Sequence, residues 1–278
     1  MFSGADFRNK DSLLLMGIVN VTGDSFSDGG FLSPESAVNH ALQLLSDGAD
    51  ILDIGAESTR PGALEVPAEE EIKRLTPVVK SLLEKYPDTV ISIDTRHSQT
   101  AEKMLELGVK IINDVSGLKF DSGMVDVLKK YPESKLVLCH SRGEPDNMML
   151  KKHCSYGSDV VESICSELLE AAEKSGLSRE RIIFDPGFGF AKTPEQHLDM
   201  LKRAEVFVER LGKVLFGISR KSFLGKITEE NDPVRRNGST LAGELHLVSC
   251  GAAILRTHDV KQLHDALTVL KAIGEDSK

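Results

Sequence analysis

The chain has 278 residues, a formal net charge of −9 and a pI near 5.5. That length holds one large α/β domain or two small ones and buries a substantial core, and the acidic balance argues against a general nucleic-acid binder. The apolar stretches are far too short to span a bilayer. Residues 1–12 lack the apolar run of a secretion signal, and Cys139, Cys154, Cys165 and Cys250 show no C-x-x-C spacing, which fits reduced thiols better than zinc or disulfides. A cytoplasmic protein is expected, with no nucleic-acid and no membrane partner.

An apolar run over residues 13–19 predicts the first strand. It breaks at Asn20 and Thr22 into a loop ending in Asp28-Gly29-Gly30, so the strand carries an Asn amide to its C-terminal end. Helical spacing of Ala37, Val38, Ala41, Leu42, Leu44 and Leu45 predicts a helix over 35–47, started by Ser33-Pro34 and stopped by Gly48. Strand 51–54 runs into GAESTRPG, which Pro61 keeps from being helical, and a charged helix follows over about 68–85. Strand 90–93 ends at Asp94; helix 99–107 ends at Gly108; strand 109–112 ends at Asn113-Asp114. Helix 121–130 leads to strand 135–139, ending at His140, and a longer connection over 141–155 precedes helix 159–175. Strand 181–184 ends at Asp185-Pro186-Gly187, and helix 195–209 leads to strand 214–218, ending at Ser219-Arg220-Lys221. Helix 233–250, strand 252–255 ending at Arg256-Thr257-His258, and helix 260–273 complete the chain.

Strict alternation of strand and helix predicts a parallel sheet, because parallel strands need helical crossovers. Eight such units in this length predict an α/β fold of the (β/α)8 TIM-barrel type. A single domain over 1–278, with a short N-terminal extension of about residues 1–11, is expected. The runner-up is a doubly wound open sheet, disfavoured because no G-x-G-x-x-G follows the first strand.

A barrel strand is apolar along its length, so polar residues should mark where it leaves the barrel. Asn20, Asp53, Asp94, Asn113, His140, Asp185, Lys221, Arg256 and His258 all stand at such ends, on the face where barrels carry active sites. An Asp or Asn after a strand is also an ordinary turn former. Asp53 and Asp114 are read that way, and His140 is open between a site residue and a backbone-bonded one.

Asp94 and Asp185 suit a ligand with clustered N–H donors, or general acid/base work. Lys221, Arg256 and His258 come from the last two strands, near which barrels often bind phosphate, and Arg offers a planar fork for it. The rival reading of Arg256 is a partner for a core acid such as Glu244. Gly187-Phe188-Gly189-Phe190 permits close backbone approach, with the two Phe walling a slot for a flat ring.

Seven segments together resemble dihydropteroate synthase: residues 16–30, DIGAESTRPG at 53–62, residues 93–95, Asn113-Asp114, DPGFGF at 185–190, SRKS at 219–222 and RTHDV at 256–260. The resemblance implies a barrel transferase of folate biosynthesis. It would join hydroxymethyl-dihydropterin pyrophosphate to para-aminobenzoate, use Mg²⁺, form a homodimer and bind sulfonamides. It implies Lys221, Asp94 and Asp185 as catalytic residues. Asp94, Asn113, Asp185, Lys221 and Arg256 would bind pterin, and Asn20, Arg256 and His258 pyrophosphate, with Asn20 near the metal. Phe26, Thr59, Arg60, Pro61, Phe188 and Ser222 would form the aminobenzoate and sulfonamide region.

The chain departs from the family pattern at Gly23, where Pro is usual, at Ser141-Arg142, in place of Met-Gln, and at Ala56. Gly23 predicts a first loop that loses more entropy on ordering, and Arg142 is read as an exposed loop charge. Two rivals remain: a pterin-dependent methyltransferase, which has no need of the Asn20, SRKS and RTHD set, and a catalytically silent pterin- or phosphate-binding barrel.

Overall fold

The computed structural model describes residues 13–21, 33–57, 65–143, 147, 148 and 150–275. The expected N-terminal extension, the first loop with Gly23 and Phe26, and Thr59, Arg60 and Pro61 lie outside the described residues.

Eight parallel strands form one sheet: β1 (Leu14–Asn20), β2 (Ile51–Gly55), β3 (Val90–Asp94), β4 (Ile111–Asp114), β5 (Lys135–Cys139), β6 (Ile182–Asp185), β7 (Leu215–Phe216) and β8 (Ile254–Thr257). Neighbours run in the order β6-β5-β4-β3-β2-β1-β8-β7. The ring closes where Phe184 of β6 bridges Val214 and donates its N–H to Lys213 O at 3.0 Å. This is the (β/α)8 barrel expected from the alternation.

The helices are α1 (Pro34–Ser46), α2 (Ala68–Lys85), α3 (Ser98–Glu106), α4 (Met124–Lys130), α5 (Val160–Ser175), α6 (Pro194–Lys202), α7 (Ala204–Leu211), α8 (Ser222–Thr228), α9 (Asn237–Ser249) and α10 (Val260–Glu275). Their starts are written in the sequence. Ser33 caps α1 and Thr193 caps α6 in reciprocal capping boxes, and Asp159 caps α5. None of the helices among the described residues is long and apolar enough to cross a membrane. All four cysteines are free.

Three helical expectations need correction. The segment expected as one helix over 195–209 breaks at Arg203, which leaves helical geometry (φ −117°, ψ 31°) while its guanidinium pairs with the α5 cap Asp159 at 2.8 Å. The helix expected from 233 begins with a 3-10 turn, Pro233–Arg236. Arg236 is fixed there by donating to the carbonyls of Arg220, Glu230 and Asn231. Finally, α8 was not expected; its seven residues carry too little periodicity to be read.

Strand periodicity places the site. A buried cluster of Leu14, Met16, Ile51, Ile111, Val137, Ile183, Leu215 and Ile254 stands apart from the larger core between sheet and helices. These residues plug the lower half of the barrel. Side chains on one face recur every second residue, so two residues beyond this plug come Asp53, Asn113, Cys139, Asp185, Gly217 and Arg256. The same step on β3 runs Val90, Ser92, Asp94. The polar residues therefore do not merely follow the strands, as the sequence reading had it. Asp53, Asp94, Asn113, Asp185 and Arg256 are ladder members, held in register by backbone hydrogen bonds.

Because the plug is close-packed, Ile183→Ala should lower unfolding free energy by about 2–5 kcal/mol. Urea denaturation measures it, and a loss below about 1 kcal/mol would mean that the lower barrel is not packed in this way.

Candidate active site

Arg256 lies at the centre of the barrel mouth. Its Nε donates to Asp53 Oδ2 at 2.6 Å and its Nη2 to Asp94 Oδ2 at 3.0 Å. Asn113 Nδ2 donates to the same Asp53 oxygen at 3.1 Å. Strands β2, β3, β4 and β8 thus meet in one buried cluster. Asp53 is fully buried, while the Arg256 side chain keeps 19% exposure, so the guanidinium is held from below and open on one side.

One cation faces two carboxylates. Burial pushes the Asp94 carboxyl up to about 8; Arg256 pulls against this and Asp53 adds to it. Arg256 is held still more firmly in its charged form by Asp53 and Asp94, against its burial. Asp53 Oδ1, Asn113 Oδ1 and Ser92 Oγ are buried with no hydrogen-bond partner among the described residues. Such groups are costly unless a donor reaches them. The mouth is therefore rich in acceptors and suited to a flat ligand bearing several N–H groups.

Asp185 closes the cluster from β6. Its Oδ1 accepts the Gly187 N–H at 2.8 Å. Burial raises its carboxyl, with that N–H and then Lys221 opposing. Lys221 caps α8 and stands 4.8 Å from the Phe190 ring centre. Burial lowers its ammonium, Arg256 adds to the effect, and Asp185 opposes it. The close approach of this stem requires Gly189 (φ +89°), where a Cβ would fall 2.8 Å from Lys221 Cδ.

The turn before Lys221 is strained. Arg220 has φ +59°, uncommon for a residue with a side chain. Its N–H donates to Thr240 Oγ1 at 3.0 Å and its Nε to Asn237 Oδ1 at 3.3 Å, so Arg220 faces α9 while Lys221 follows the mouth. His258, just past β8, has Nδ1 at 2.9 Å from Ser219 Oγ. Asn20 ends β1, in register with Gly55.

Other expected residues fall elsewhere. Phe188 is 1% exposed and packs on Phe223, His197 and Phe216; it is core beneath the site, not a surface wall. Ser222 is the exposed first residue of α8. Asp114 is a turn former, as read, accepting the Ser116 and Leu118 N–H groups. Arg256 pairs with Asp53 and Asp94, which removes the reading that gave it Glu244. Arg142 is not a bare loop charge, because it pairs with Glu167 and lies 3.9 Å over the Tyr156 ring.

Three residues at or behind the site were missed. Asp53 was taken as a turn former, though it is the deepest partner of Arg256. Lys192, 1% exposed, donates to Gly187 O, Phe190 O and His140 Nδ1 at 2.9, 3.0 and 3.1 Å. Burial brings its ammonium down to about 7. His140 passes the network on to Glu167 Oε2 at 3.2 Å, which resolves its open reading in favour of a structural link. His197 Nε2 accepts the Gly189 N–H at 2.7 Å. Lys192 and His197 together pin the turn that follows Asp185 and packs against Lys221. The signal available was the unbroken glycine-rich run leading to Lys192.

Glu57 and Arg96 form a buried two-point pair, with Nη2–Oε1 at 2.8 Å and Nε–Oε2 at 3.2 Å, and Glu57 also accepts the Val66 N–H. This ties residue 57 to residue 66 across the segment that carries Thr59, Arg60 and Pro61. Among the described residues, no three His, Cys, Asp or Glu side chains cluster to hold a metal. The Asn20 amide oxygen is a hard donor of the kind Mg²⁺ accepts, and it fits a metal that keeps its waters and arrives on substrate phosphates.

The pterin binding enzyme family matches the chain over residues 16–258. The dihydropteroate synthase of Neisseria meningitidis serogroup C is 41% identical over 271 residues, covering 95% of this chain and 94% of that protein. The folic acid synthesis protein fol1 of Pneumocystis carinii is 40% identical over 97% of this chain, which spans only 37% of that longer relative. Among solved structures, Xanthomonas albilineans dihydropteroate synthase with 4-aminobenzoic acid superposes with a TM-score of 0.85 at 37% identity, covering 96% of this chain and 95% of that one. The Yersinia pestis enzyme with a sulfonamide drug complex gives 0.88 at 33% identity, with 96% of each chain covered. With its barrel, its acceptor-rich mouth and these likenesses along nearly its whole length, the chain belongs to the pterin-binding enzyme family, among the dihydropteroate synthases.

Proposed function

We propose that this chain condenses hydroxymethyl-dihydropterin pyrophosphate with para-aminobenzoate, giving dihydropteroate and pyrophosphate. The observation that carries this reading is Arg256 held between Asp53 and Asp94 beside unpartnered acceptors of Asp53 and Asn113. Asp94, Asn113 and Asp185 accept the pterin ring and amino N–H groups. Lys221 donates to the ring from the opposite side. The open face of Arg256 serves both the pterin face and the pyrophosphate, which Asn20 and His258 also anchor. Ser222, exposed at the start of α8, is assigned to the aminobenzoate end on the family resemblance alone.

The reaction is read as dissociative. The C–O bond to pyrophosphate breaks and pyrophosphate leaves with the electron pair, while the electron-rich pterin spreads the positive charge. The amine of aminobenzoate then forms the C–N bond and releases its proton to solvent. An arylamine is neutral at pH 7, so no strong base is required. Arg256, His258 and Lys221 place positive charge and donors where the leaving group gains charge. Mg²⁺, held through Asn20 and the phosphates, would neutralise part of that charge. The carboxyl oxygens of Asp94 and Asp185 accept from the pterin N–H groups, and ionisation of either one favours the cationic pterin.

We further propose a homodimer in the cytoplasm. The exposed Val269 and Leu270 of α10 offer apolar contact area, and four free thiols fit a reducing compartment.

Pyrophosphate release, assayed with pterin pyrophosphate, Mg²⁺ and aminobenzoate each omitted in turn, should require all three for dihydropteroate formation; no product with all present would end this assignment. Lys221→Ala should abolish turnover with an unchanged circular dichroism spectrum, and near-normal kcat/KM would remove Lys221 from the site. Asp53→Asn leaves Arg256 a single carboxylate. Its kcat/KM for pterin pyrophosphate should fall about a hundredfold, equivalent to about 2.7 kcal/mol, while KM for aminobenzoate stays within about twofold of wild type.

A further inference from the structure

Behind His258 lies a set of hydroxyls that the reaction as read does not use. Ser219 Oγ accepts the His258 backbone N–H at 3.2 Å and the Thr257 hydroxyl at 3.4 Å, and lies 2.9 Å from His258 Nδ1. A hydroxyl oxygen has two lone pairs and one proton. Both lone pairs are taken by those two donors, so the Ser219 proton goes to Nδ1. Nδ1 then accepts, and the ring carries its own proton on Nε2.

The direction of this chain is set by Thr257, whose hydroxyl donates to Ser219 and accepts the Asp259 N–H at 3.4 Å. Proton positions therefore run one way, from Thr257 through Ser219 to His258 Nδ1. Ser219 and Thr257 are 5% and 0% exposed, so water does not scramble the order.

We propose that Ser219 is a positioning residue that fixes His258 as the Nε2–H tautomer, so that the uncharged ring donates a hydrogen bond to an oxygen of the pyrophosphate. This rests on the reading of His258 as a pyrophosphate anchor. The tautomer matters because a ring with its proton on Nδ1 would turn a lone pair toward an anion, exchanging attraction for repulsion with every heavy atom in place.

The test is a long-range ¹H–¹⁵N correlation spectrum of the full chain with ¹⁵N-labelled histidine, His258 being assigned from the signal lost in His258→Gln. The wild-type protein should show the Nε2–H pattern at His258, and Ser219→Ala, a deletion of one oxygen, should show a mixture of tautomers. In steady state, Ser219→Ala should raise KM for pterin pyrophosphate about tenfold, the effect of one misdirected hydrogen bond, with KM for aminobenzoate unchanged. A wild-type Nδ1–H pattern, or a tautomer indifferent to Ser219→Ala, would overturn the proposal. A shifted tautomer with an unchanged KM for pterin pyrophosphate would overturn the anchor reading of His258 and leave the tautomer assignment standing.

Discussion

The organisation of this protein depends on one guanidinium shared by two carboxylates. Arg256, Asp53 and Asp94 come from β8, β2 and β3, and none of the three could be buried alone, since an unpaired charge taken out of water costs several kcal/mol. With both carboxyls ionised the set would be one positive charge short of neutral, and burial beside Asp53 pushes Asp94 up to about 8. That imbalance shows in Asp94, and it gives the mouth its character as a place for donors. Replacing the set with apolar side chains of similar volume would often be neutral or stabilising for the fold. Its retention in a barrel with an apolar plug directly beneath is therefore better explained by ligand recognition than by stability.

The second requirement is that the partners of Arg256 stay where they are. The turn after Asp185 is tied at four points. Its Gly187 N–H goes to Asp185, its Gly187 and Phe190 carbonyls to Lys192, and its Gly189 N–H to His197. Lys192 has three N–H donors and three neutral acceptors, an arrangement that satisfies the amine without a carboxylate beside it. The SRK turn is braced in the same way by Thr240 and Asn237 of α9 and by Arg236 in the 3-10 turn before it. The outer shell of the barrel thus holds the inner one rigid, and this preorganisation is what gives charged donors their effect on a leaving group.

The fold was legible because eight apolar runs alternate with helical spacing, and that pattern survives any error of a residue or two at the ends. The charged site residues were legible as a set, because polar residues recur where strands leave the barrel. What failed was geometry that depends on partners far along the chain. Asp53 read as a turn former because its partner Arg256 lies 203 positions away. Arg203 breaks a helix through a pair with Asp159, 44 positions earlier. Lys192 went unread: the glycine-rich run before it marks a turn, but nothing local shows an amine buried against two carbonyls and a ring nitrogen. Phe188 read as a wall because alternation with glycine hides which phenylalanine faces in. Periodicity is a local property; pairing of buried charges is not.

The stepwise climb from the apolar plug to the polar ring has a consequence for how such a site can vary. Each ring residue shares its peptide groups with a ladder whose repeat along the strand is about 3.3 Å. Relative positions around the mouth are therefore quantised: Asp185 cannot drift by half an ångström with respect to Asp94 while both ladders hold, and a whole step would turn the side chain out of the barrel. Chemistry at each position can be exchanged, but spacing cannot be tuned. Continuous adjustment to a differently sized ligand is left to the segments that join strand to helix, and the barrel itself behaves as a fixed scale against which those segments are read.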